Sequence, residues 1–150
     1  DTDRSRGLGD VYKRQDMNRT MNQWEIQQLT KFNNISIGAH TKSHTKLSQL
    51  SVDSQKEEIN ESKEILEKIS GQKIEIFSYP FGEDEDYTEQ TVEILKTCGI
   101  KKAAVVKQGL YSKEYGEYRI PRNTVNGGTT VRQLKKIIEK SWFEYGEKAI

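Results

Sequence analysis

Apolar and polar positions run along this chain in two rhythms, and the switches between them mark out its elements. Asn22 and Glu25 have capping-box spacing, and Trp24, Ile26, Leu29 and Phe32 follow as an approximate helical stripe that Asn33 and Asn34 end. Ile35-Ser-Ile-Gly-Ala-His40 is a short β-branched run, which predicts a buried strand entering a loop. The clearest helix is predicted over 51–70. Ser51 or Ser54 can cap it, and Val52, Ile59, Leu66 and Ile69 share one face. Glu64 precedes Lys68 by one turn, a favourable order for an ion pair, and Gly71 suits the left-handed C-cap. The charge run KEEINESKE reads as the solvated face of that helix.

A second strand is predicted over 74–79, stopped by Pro80 and Gly82. The acidic loop Glu83 to Asp86 leads to a helix capped by Asp86 or Thr88, with Val92, Leu95 and Cys98 inward and Gly99 at its end. Further strands are expected over 103–106 and 118–121. Asn126-Gly-Gly reads as a turn, and Thr130 with Gln133 opens a last helix bearing Val131, Leu134, Ile138, Trp142 and Tyr145. Strands separated by helices imply βαβ units and a parallel sheet, hence the α/β class. The order suits a piece of a (β/α) barrel or a small open sheet.

Composition narrows this picture. The 150 residues suffice for one domain with a single core, and 31% charged against 33% hydrophobic residues makes that core modest. Lysine plus arginine number 24 and aspartate plus glutamate 23. That balance leaves no long-range field to hold a polyphosphate, so nucleic acid is not an expected partner. No apolar run is long enough to be a transmembrane segment. Cys98 is the lone cysteine, which excludes an intramolecular disulfide and a cysteine-based zinc finger and suits a buried structural thiol. Residues 1–15 (DTDRSRGLGDVYKRQ) show neither rhythm and resemble an adapter-derived translation. They are expected to be a non-native or disordered leader, with the domain occupying 16–150. Nothing in the pattern assigns a compartment or an oligomeric state.

The only histidines, His40 and His44, lie four residues apart in Gly38-Ala-His-Thr-Lys-Ser-His-Thr-Lys-Leu47. Imidazoles at this spacing can converge on one metal, from a helical turn or a tight loop, and they suit zinc, cobalt or nickel better than calcium or magnesium. No Glu follows the first His, which argues against a metalloprotease helix. The plain alternative is two polar residues capping a loop.

The segment Ile37 to Ser48 resembles the His-box of the polysaccharide deacetylase family, also called the NodB homology domain or carbohydrate esterase family 4. Glu58-Ile-Asn-Glu-Ser-Lys-Glu-Ile-Leu-Glu67 followed by Gly71 resembles that family's long helix. Phe77-Ser-Tyr-Pro-Phe-Gly82 is similar to its third motif, and Tyr118-Arg-Ile-Pro-Arg122 to a late Arg-bearing strand. The likeness runs over roughly residues 20 to 125, with the motifs in the family's order. It implies the C-terminal part of a distorted (β/α) barrel whose first strands are missing, with the site at the C-terminal strand ends. It also implies hydrolysis of acetyl groups from an acetylated polysaccharide or oligosaccharide, by enzymes commonly of the cell envelope or secreted.

Carried over residue by residue, the resemblance makes His40 and His44 metal ligands and the Phe81 backbone amide the oxyanion donor. It places Tyr79 and Pro80 against substrate. The Arg that the family carries before this Pro is missing, with Ser78 and Tyr79 in that region, so Arg122 is either its replacement as orienter of the base carboxylate or a surface residue on a short strand. The metal it implies is divalent, zinc first, with cobalt or nickel as alternatives. The family's Thr-Phe-Asp-Asp motif, which holds the third ligand and the base, is absent here, as is a late general-acid His. Asp16 has no strand pattern around it, and Asp84 and Asp86 read as a solvated helix cap rather than replacements. The chain is therefore expected to be an inactive fragment of a deacetylase, with open sheet edges and marginal stability. The alternative is a non-catalytic carbohydrate-binding or pseudoenzyme domain with Tyr79, Phe81, Tyr111, Tyr115 and Tyr118 lining a groove.

Overall fold

A computed structural model describes residues 19–109 and 111–146, with side chains through Glu139. The proposed leader, 1–15, and the side chains of Trp142 and Tyr145 lie outside the described residues. The chain divides into two compact units, one ending at Ile35 and the other beginning at Ser36.

In the first unit, helix α1 (Gln23–Leu29) starts at the expected capping box. The Asn22 side chain accepts the Glu25 amide at 3.0 Å, and the Glu25 carboxylate accepts the Asn22 amide at 2.7 Å. Arg19 pairs with the same carboxylate at 2.7 Å. That guanidinium and the Asn22 amide hold Glu25 down to about 2. No α1 residue is fully buried; of the stripe, Ile26 and Leu29 are half-buried and Trp24 and Phe32 are exposed.

The second unit is built on parallel strands. Strands β1 (Ile76–Ser78) and β2 (Lys102–Ala104) pair in parallel with Phe77 opposite Ala103. Ala39 bridges to Phe77 on one side and Ile120 to Ala104 on the other, both parallel. The four segments thus lie side by side in chain order, as in a (β/α) barrel wall; a doubly wound sheet would reverse that order.

The strands are shorter than their hydrophobic runs. The strands expected over 35–40 and 118–121 shrink to single bridges, and that over 103–106 becomes 102–104. Each outer segment has one neighbour among the described residues, so its second row of backbone groups has no ladder to join. Gly38 lets the Ile76 carbonyl come close, where a Cβ would stand 3.1 Å from it. Pro121, lacking an N–H, stops the last segment.

The helices keep their signals better. Helix α2 (Val52–Ser70) is capped by Ser51, whose side chain accepts the Ser54 amide, and closed by Gly71 at φ 68. Its ion pair is Lys63–Glu67 at 2.9 Å rather than the expected Glu64–Lys68, because Glu67 is also held by the Ile74 amide. Helix α3 (Glu89–Thr97) takes Thr88 as cap, with Thr91 completing a capping box. Helix α4 (Val131–Gly146) follows the predicted turn, and Thr130 and Gln133 exchange hydrogen bonds at its start.

One core joins Ile59 of α2, Val92, Ile94 and Leu95 of α3, Ala39, Phe77 and Ala103 of the sheet, and Val105 just past β2. Cys98 is half-buried against it, and burial pushes its thiol up. Thr91 donates to Gln55 at 2.7 Å and Gln55 to the Leu50 carbonyl at 3.1 Å, so the polar groups buried between α2 and α3 are satisfied. Side chains alternate across a strand, so Ile76 and Ser78, and Lys102 and Ala104, belong to the opposite face. There Ile76 is 41% exposed, whereas Phe77 beside it is 1% exposed.

Candidate active site

His40 directly follows the Ala39 bridge, and Tyr79 to Gly82 directly follow β1, so both segments lie at C-terminal strand ends. The two imidazoles face each other edge to face, with ring centroids 4.8 Å apart. His40 Nδ1 lies 2.7 Å from the Ser78 carbonyl oxygen, which cannot donate. Nδ1 is therefore the protonated nitrogen, and in the neutral ring Nε2 is the one with the lone pair. Imidazole ligands are oriented in this way when they bind a metal. Two imidazoles on one tetrahedral ion, each nitrogen about 2.0–2.1 Å away, have ring centroids on the order of 5 Å apart. The 4.8 Å separation of the pair is of that order. Among the described residues no group of three or more His, Cys, Asp or Glu side chains converges as a metal site.

His44 reaches His40 through an unusual backbone. Thr41 and His44 take positive φ, 61° and 57°. Left-handed geometry costs a non-glycine residue on the order of 1 kcal/mol. Thr41 Oγ1 accepts the His44 amide at 3.1 Å, and Glu58, on α2, takes the amides of Lys42 and Ser43 at 3.0 and 2.9 Å. Ser43 Oγ donates to the same carboxylate at 2.7 Å. Burial pushes the Glu58 carboxyl up, but the Ser43 and Lys42 bonds outweigh it and leave the group below its usual range. Glu58 thus faces the histidine loop, although its charge run was expected to be purely solvated.

Beyond β1 the expected site residues separate. Phe81 has φ 61° and is 54% exposed, and its ring lies 4.9 Å from that of His44. Its amide has no acceptor among the described residues. Gly82 follows at φ 80°, where a Cβ would come within 2.9 Å of the Val106 nitrogen. Tyr79 and Pro80, expected against substrate, are fully buried instead. Tyr79 stacks on Tyr87 at 4.1 Å and donates to the Tyr118 carbonyl, so it is a core residue and does not line an exposed aromatic groove. Burial and the neighbouring Tyr87 push its phenol up. Tyr118 is half-buried, with its hydroxyl committed to the Ile100 carbonyl at 2.8 Å. Arg122 is exposed, its Nε donates to the Val105 carbonyl at 3.3 Å, and no carboxylate among the described residues pairs with it. With Val106, Asn123, Thr124 and Val125 it lines a cleft of about 280 Å³.

Asp86 also departs from expectation. It is 2% exposed, pairs with Lys46 at 2.5 Å and accepts the Glu83 amide at 2.8 Å. Burial raises its carboxyl, but those two partners more than offset it and leave the group low. Ser48 donates its amide to the Asp86 carbonyl and its hydroxyl to that of Glu85, so Lys46 and Ser48 staple the histidine loop to the loop after Gly82. No sequence signal pointed to Glu58 or Asp86, because each acts on a segment remote in the chain.

Comparison with known proteins gives the family. The model of the polysaccharide deacetylase family matches residues 13–103. YxkH of Bacillus subtilis (strain 168), whose name places it among the polysaccharide deacetylases, is 30% identical over 105 residues, covering 70% of this chain and 37% of its own. In structure the chain is similar to BC0361, a polysaccharide deacetylase from Bacillus cereus. The TM-score is 0.71 at 26% identity, over 82% of this chain and 38% of that one. The Streptococcus pyogenes deacetylase PplD, solved in complex with acetate, shares the fold with a TM-score of 0.72 at 22% identity, over 80% of this chain and 51% of that one. The chain thus spans from 37% to 51% of the length of these relatives. With its parallel segments in barrel order and its motifs at their C-terminal ends, the chain belongs to the polysaccharide deacetylase family.

Proposed function

We propose that this chain supplies two of three metal ligands, His40 and His44, and the oxyanion-binding amide of Phe81 to a polysaccharide deacetylase site. The observation that carries this reading is the imidazole pair, 4.8 Å apart, with His40 Nδ1 committed to a carbonyl. A divalent ion, zinc before cobalt or nickel, would polarise an acetyl carbonyl and acidify water there. The residues of the chain do the rest. Ser78 holds His40 in the ligating tautomer, and the Phe81 amide, free of any acceptor among the described residues, donates to the developing oxyanion. Arg122, unpaired with any described carboxylate, is suited to orient a base carboxylate. The Asp ligand and the base belong to a motif that the 150 residues do not contain, so the chain by itself is an inactive piece with an acetylated polysaccharide as its parent's substrate.

Isothermal titration with zinc tests this. The chain should bind one ion weakly, and His44→Ala should abolish binding. Absence of binding overturns the ligand assignment. Tight stoichiometric binding coupled with deacetylase activity overturns the claim of inactivity.

A further inference from the structure

The conformation that brings the imidazoles together is not one that Thr41 and His44 adopt by preference. Both sit at positive φ without being glycine, and the two amides between them, of Lys42 and Ser43, converge on one carboxylate. Backbone concavities of this kind bind anions. The anion here is Glu58, whose second oxygen also takes the Ser43 hydroxyl. Ser43 Oγ lies 2.6 Å from Thr45 Oγ1, which extends the network past His44. The carboxylate projects from α2, a helix anchored by the buried Ile59 next in sequence.

We infer that Glu58 is a positioning residue for the proposed metal site, an internal anion that holds the 41–44 loop so that His44 meets His40. The inference rests on the proposed roles of those histidines. Glu58 touches neither ring; it acts through the amides of Lys42 and Ser43. Loss of its charge would leave those donors to water and release Thr41 and His44 from left-handed geometry. His40 would stay in place, because its own hold is the Ser78 carbonyl on β1.

The test compares the whole chain with its Glu58→Gln variant, using two readouts. In the metal-free protein, NMR should show cross-relaxation between the His40 and His44 rings in the wild type and its loss in Glu58→Gln, with the amide pattern of the core preserved. Zinc titration should show affinity falling about 10- to 100-fold, the range for partners behind a ligand. Glu64→Gln, an exposed change on the same helix, should match the wild type in both readouts. If Glu58→Gln does not fold, Ser43→Ala removes one of the bonds and should weaken zinc several-fold. Wild-type ring contact and zinc affinity in Glu58→Gln overturn the inference. A wild type that shows the ring contact and binds no zinc sinks the metal reading instead, and the ring contact in Glu58→Gln then decides the anchoring role alone.

Discussion

The two faces of the short parallel sheet are made by alternate residues of the same strands, yet they do different work. One carries Phe77 and Ala103, at 1% and 0% exposure, packed in the core with residues of α2 and α3. The other carries Ile76, 41% exposed, and Ser78, whose buried hydroxyl has no hydrogen-bond partner among the described residues. The strand residues that stabilise this unit therefore sit on its helix-covered face. The other face leaves Ile76 uncovered among the described residues.

The largest expected effect is on the covered face. Phe77→Ala should cost about 3–5 kcal/mol in urea unfolding, from lost burial and the cavity left behind. A cost under about 1 kcal/mol would mean that the helices do not pack on this face. Next is the staple between loops. Asp86→Asn leaves Lys46 without its buried partner and should cost on the order of 2 kcal/mol, less than a fully buried pair because Lys46 is partly open to water. The pH dependence has a definite sign. The Asp86 carboxyl is depressed in the folded chain, so its contribution is fully present above its ordinary value of 3.8 and is lost as pH falls through the lower, folded value. Thermal midpoints should therefore drop on acidification below about pH 4, and the drop should be shallower in Asp86→Asn.

On the open face the expected effects are small. Ile76→Thr should cost under about 1 kcal/mol, because much of its side chain already meets water. An effect comparable with Phe77→Ala would show that something covers this face in solution. Ser78→Ala should raise stability, by up to about 1 kcal/mol, since the hydroxyl it removes is buried away from water and has no hydrogen bond among the described residues to lose. Calorimetric melts of both variants would settle the ranking.

Legibility in the sequence followed the range of the interaction. Helix α2, its Ser51 cap and its Gly71 stop could be read directly, because each depends on residues within a turn of one another. The strands were placed correctly and drawn too long, since strand length depends on neighbours that a linear pattern cannot show. The closeness of the two histidine rings was legible from their spacing in the chain and the motif around them. Glu58 and Asp86 were not, because a carboxylate aimed at a distant loop looks the same in sequence as one facing water. Tyr79 was misplaced for the converse reason: a motif position says nothing about which way a side chain turns, and this one turns onto Tyr87.

The left-handed backbone of Phe81 carries a consequence for any attempt to improve this protein by selection. Glycine or asparagine would relax that residue and raise the melting point, so a screen for thermal tolerance would tend to favour them. Both would also strip away the aromatic edge that abuts His44. Robustness and the ring contact with His44 therefore pull position 81 in opposite directions, and variants enriched by heat alone should lose that contact.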